Sequence, residues 1–169
     1  VIAMNEAFAV AAKKDGSTLV PLMFVVITVV IGLLTNSIYA ALATLFVVAT
    51  CIIITMGVAG WLGMYLSTAT VNVPVMVTTL AVADCVHIIV GYFQNLLKTD
   101  DKQAALNESL SLNKRPILIT SITTAIGFLM LNFAEVPILS DLGNLTAIGV
   151  MLACFVSLCV LPVILVKIP

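Results

Sequence analysis

Residues 71–97 read VNVPVMVTTLAVADCVHIIVGYFQNLL. They have the length and apolarity of a helix that crosses a bilayer, which takes about 20 apolar residues with some tilt. Inside this run stand Asp84 and, one turn later, His87. A carboxyl group at mid-bilayer depth costs about 2.5–3.5 kcal/mol on insertion scales. Residues that carry such a cost normally face a bundle interior or a water-filled path, and they mark ion and proton routes. The stretch therefore predicts a membrane helix whose Asp84 takes up and releases a proton, with His87 as a candidate partner. On a helix, Val77, Leu80, Asp84, His87, Gly91 and Asn95 recur every three or four residues. They are expected to share one stripe and to give the helix one wet side.

The rest of the chain has the same solvent in view. Of 169 residues, 62% are hydrophobic and 9% are charged, whereas a soluble domain is near half apolar and a quarter charged. An integral membrane protein follows. A net charge of −1 leaves no basic surface for nucleic acid. The four cysteines, Cys51, Cys85, Cys154 and Cys159, lie inside apolar runs without C-x-x-C spacing. Neither a disulfide framework nor a zinc site is indicated, and no cofactor is expected. No nucleophile–base pair or phosphate loop is present to argue for an enzyme. Residues 1–10 lack a basic stretch followed by an apolar core, so they are not a signal peptide. The chain opens on Val1, and we expect it to be a piece of a longer protein.

Five spans are predicted, at about 18–35, 38–60, 73–97, 116–133 and 142–166, which makes an all-α polytopic membrane bundle with five transmembrane helices. Residues 1–17 read as a short helix ended by Gly16, either interfacial or the end of a preceding extracytoplasmic domain. Asn36 and Ser37 form a tight turn between the first two spans. Trp61 and Tyr65 suit the membrane–water boundary. Residues 67–72 form an uncharged turn, and Pro74 sits in the first turn of the third span, where its missing N–H costs nothing. The one hydrophilic connection, residues 98–115, is predicted to hold a short amphipathic helix lying on the membrane face. The fourth span would then open at Pro116, with Asn113 as candidate cap. Pro162 falls near the end of the fifth span.

Lys98, Lys102, Lys114, Arg115 and Lys167 collect on one side, against Lys13 and Lys14 on the other. The bias places the 98–115 segment and the C-terminus in the cytoplasm. Helices in lipid associate through small residues. Gly149, Ala153 and Ser157 repeat every four residues in the fifth span, and Thr120, Thr124 and Gly127 do much the same in the fourth, with Thr123 beside them. These are expected packing faces, some of whose threonine hydroxyls could instead bond to Asp84.

Two runs carry a resemblance. TLAVADCVHIIVGYF resembles the acid-bearing fourth helix of resistance–nodulation–division (RND) transporters. The run RPILITSITTAIGFLMLNFAEVPILSDLGNLTAIGVMLACFVSLCVLPVIL is more specific. Its T-S-x-T-T-A-x-G-F block, the turn with Pro and Leu-Gly, the A-I-G and the closing L-P are similar to the hydrophobe-exporter branch related to the MMPL lipid transporters. The resemblance implies that the five spans are helices two to six of one six-helix half, a unit called a sterol-sensing domain in eukaryotic relatives. It places Asp84 on the proton-carrying acid, His87 on a histidine common in the branch, and Thr120, Ser121, Thr123 and Thr124 on a helix whose hydroxyls face that acid. Leu80 stands where many relatives carry glycine, and Cys85 where others carry Asp or Tyr. The implied function is proton-driven export of hydrophobic or amphiphilic compounds, lipids or drugs, across a bacterial inner membrane. The implied partners are a lipid-like substrate, membrane lipids, and a second half or second protomer. The alternative reading is a sterol-sensing-like regulatory module that binds lipid without transporting it.

Overall fold

The computed structural model describes residues 18, 21–35, 37–64, 67, 69–99 and 101–167. The reading of 1–17 as a short helix, and those of Asn36 and Tyr65, lie outside the described residues. Among the described residues the chain is helical and carries no strand. In order, the helices are α1 (Pro21–Thr35), α2 (Ile38–Trp61), α3 (Val73–Leu96), α4 (Lys102–Leu129) and α5 (Pro137–Lys167). Two short 3-10 turns, Thr70–Asn72 and Met130–Phe133, lead into α3 and out of α4. Helices α2 to α5 are each long and apolar enough to cross a membrane, and α1 is a shorter apolar helix. The chain is an integral membrane protein. A lipid core tolerates such helices because each satisfies its backbone groups internally.

Local chemistry sets the helix ends. Ser37 caps α2 by accepting from the Ala40 N–H. Gly63 ends it with φ +66. The Met64 N–H reaches the Ala59 carbonyl and the Gly63 N–H the Gly60 carbonyl, the paired closure that a left-handed residue permits. Pro74 lies in the first turn of α3, where its ring fits the helix and its absent N–H is not needed.

The fourth helix differs from the expectation. It opens at Asp101, whose carboxylate accepts from the Gln103 N–H at 2.9 Å. It then runs without a break through Pro116. Asn113 is not a cap; its side-chain amide donates to the Ser109 carbonyl within the helix. Pro116 withholds one ladder bond, a cost of about 3 kcal/mol in a helix interior. Packing offsets it. Ala105, Leu106 and Ser109 are buried, and the Ser109 hydroxyl donates to the Ile88 carbonyl of α3 at 2.8 Å. The amphipathic segment therefore stands upright against α3 rather than lying flat. Similarly, α5 begins at Pro137, one turn before the expected 142.

The core lies where α2, α3 and α5 meet, around Val47, Val48, Val77, Ile88, Leu145 and Leu161. Helix α5 touches α2, α3 and α4. Contact pairs fix its direction: Val77 lies against Gly149 and Cys85 against Ser157, so α3 and α5 run parallel. The outer faces carry large apolar side chains, among them Leu33, Phe46, Ile53, Ile119 and Phe155, which suits lipid rather than water.

Candidate functional site

Asp84 sits half-way along α3 on its inward side, 8% exposed. Its flanking residues on that side, Ala81, Cys85 and Ile88, are fully enclosed. The thiols of Cys51 from α2, Cys85 from α3 and Cys154 from α5 lie within electrostatic range of its carboxylate. Ser121 of α4 lies near the Cys154 thiol. Cys85 and Ser157 meet at 3.7 Å. The acid thus shares the core with cysteines of three helices. No described residue gives its carboxyl a hydrogen bond or an ion pair. Among the described residues no fully buried side-chain oxygen lacks a partner, so the carboxylate oxygens keep a narrow opening. Such a group is free to bind and release a proton without first breaking a hydrogen bond. Among the described residues no three His, Cys, Asp or Glu converge as metal ligands.

The predicted stripe divides. Val77, Asp84 and Asn95 face inward, Leu80 and Gly91 lie at its edge, and His87 is exposed. A step of three residues turns a helix back by about 60°, because 3.6 residues complete a turn; from Asp84 that step carries His87 out of the core. His87 instead lines a groove of about 370 Å³ between α3 and α4, together with Gln94, Lys98 and Asn113.

The hydroxyl set also divides. Ser121 is buried and lies near Cys154. Thr120 and Thr123 are exposed. The Thr120 hydroxyl donates to the Pro116 and Ile117 carbonyls, and Thr123 to those of Ile119 and Thr120. These are self-contained bonds within α4. Thr124 is half-buried. Gly127 has nothing within 4 Å of the place a side chain would occupy, so no close helix approach there requires a glycine. The α5 stripe differs. A side chain at Gly149 would collide with Val77 and come within 3.0 Å of Thr55, while Ala153 and Ser157 are fully buried.

Three close approaches escaped sequence reading. Gly91 lets the Ser109 hydroxyl and the Asn113 amide approach α3, at 2.6 and 2.8 Å from where a Cβ would stand. Gly143 admits the Phe128 carbonyl. Asn132 and Asn144 exchange amide hydrogen bonds at 2.7 and 3.1 Å, tying the end of α4 to α5. The only signal was the residue types themselves, since amides and glycines at helix ends have many local uses.

The model of the MMPL family matches residues 1–168. The chain belongs to the MMPL family. This MMPL chain is a membrane module of the RND type. Among curated proteins, a membrane protein of Methanocaldococcus jannaschii is 26% identical over 127 residues, covering 75% of this chain and 33% of that protein. The chain spans about a third of the length of the curated relative it matches. No solved structure matches it.

Proposed function

We propose that this MMPL chain is part of a proton-driven exporter of hydrophobic or amphiphilic compounds, lipids or drugs, and that Asp84 carries the proton. The observation that supports this is one carboxyl, buried half-way along a membrane helix, with no hydrogen-bond or ion-pair partner among the described residues. An unpartnered acid at that depth is costly, and its two protonation states differ in charge inside a low dielectric. That difference is what a shape change can be coupled to. Each charge that crosses is driven by about 2.3 kcal/mol per 100 mV. The rocking would occur between this bundle and a second half or a second protomer, as in transporters built from related repeats. In this reading His87 acts from the α3–α4 groove rather than by bonding to Asp84 directly. The 98–115 segment and the C-terminus face the cytoplasm, and the host membrane is a bacterial inner membrane.

The test is transport by the intact protein in proteoliposomes with an imposed proton gradient. Asp84→Asn abolishes gradient-dependent export while expression and folding stay normal. Full transport by that variant would sink the reading and favour a sterol-sensing-like lipid-binding module instead. Tolerance of Asp84→Leu with unchanged assembly would favour a passive scaffold.

A further inference from the structure

A groove of about 500 Å³ runs between α4 and α5, and its lining changes character along its length. At one end Asn107, Ser111 and Lys114 recur on one face of α4. Further along come Leu118 of α4 and Met151 and Phe155 of α5. Lys114 stands in the last polar turn of α4, since residues 116–133 carry no charge. The groove therefore pairs a polar edge on α4 with an apolar floor, as an amphiphile pairs a head with a chain.

Charge at the polar end is uncompensated. Lys114 makes no ion pair among the described residues. Residues 142–166 of α5 hold no acid. Glu108, six positions before Lys114, is turned to another side of α4 by the helical period. The apolar end opens outward: Phe155 is 66% exposed, beside a surface that also presents Ile119 and Ile122. A soluble anion would leave the apolar half of the groove wet, and a neutral amphiphile would leave Lys114 without a counter-charge. The volume falls within the ~300–1,000 Å³ of small-molecule sites.

We propose that this groove holds one anionic phospholipid of the surrounding leaflet. Its phosphate sits among Lys114, Ser111 and Asn107, and one acyl chain lies along Leu118, Phe155 and Met151. A long basic side chain can lay its stem along apolar surface and carry its charge to an anionic headgroup. The site is separate from the Asp84 reading, and its test does not measure transport.

Cys159 provides the readout. It lines the same groove and is exposed, whereas Cys51, Cys85 and Cys154 are buried. The intact protein is reconstituted in phosphatidylcholine bilayers with or without one-fifth phosphatidylglycerol, and alkylation of Cys159 by a neutral maleimide is timed. Phosphatidylglycerol slows labelling at least threefold. Lys114→Gln removes that protection, read as the ratio of its own rates in the two bilayers, and an unchanged thermal melt shows that the variant is folded. Lys114→Arg keeps the protection. Equal rates in the two bilayers overturn the proposal, as does protection that survives Lys114→Gln. Cys159 unreactive in both bilayers also overturns it, because protein rather than lipid then covers the groove.

Discussion

Asp84 imposes a cost that no neighbouring side chain relieves. Its carboxyl is buried in the bundle core and has no partner among the described residues. Burying a polar group without a hydrogen bond costs about 1–3 kcal/mol on mutational scales. Asp84→Leu is therefore expected to raise thermal stability in detergent by an amount in that range, and to abolish proton-coupled export. Stability gained as function is lost is the mark of a residue kept for its chemistry. A fall in melting temperature would mean that the carboxyl supports the fold instead. Glycines make a second comparison at this scale. Gly149→Val drives a branched side chain into Val77 and Thr55 and is expected to destabilise by about 1–3 kcal/mol, the usual cost of overpacking. Gly127→Ala meets open space and is expected to stabilise by about 0.5–1 kcal/mol through helix propensity. Matched thermal melts of the two variants check both signs. The two glycines look alike in sequence, and only their neighbours separate them.

Helix α4 shows most plainly what a sequence conveys about an element and what it leaves open. The apolar runs announced the spans, because a bilayer demands about 20 apolar residues whatever the packing. The boundaries were less legible. Pro116 and the polar residues before it argued for a break, but Ser109 and Leu106 dock against α3 and carry the helix through. Tertiary contacts of this kind are invisible to local propensity. Amide exchange tests the arrangement: residues 105–113 are expected to be protected to the same degree as the facing turn of α3. Rapid exchange there would restore a loose surface segment. Asp101→Ala removes the cap and should cost about 1 kcal/mol, with fraying confined to the first turns of α4. The position of Asp84 could be argued from its insertion cost alone. The outward turn of His87 could not, because three-residue and four-residue spacings look alike on a sequence but lead to different sides of a helix. Thr120 and Thr123 were similarly ambiguous, since a hydroxyl can satisfy itself on its own backbone.

Across the whole molecule, α2, α3 and α5 share one enclosed core, while the outer faces present apolar side chains to lipid. A core packed this closely should move as one body. Ser157→Cys places a second thiol beside Cys85, from which the Ser157 oxygen is 3.7 Å away. Oxidation is expected to join the pair, and the bridged intact protein should still transport, because rocking between halves leaves α3 and α5 together. Transport that stops on bridging and resumes on reduction would locate the motion inside this bundle. The central place of α5 also bears on how the molecule is made. It touches α2, α3 and α4, yet a ribosome releases it after all three. Until residues 137–167 emerge, the earlier spans wait in the bilayer with Val77 and Cys85 uncovered and Asp84 open to lipid. Biogenesis therefore has a vulnerable interval in which insertion machinery must shelter an unfinished bundle, and a nascent chain stalled before Pro137 should be a preferred target of membrane proteases.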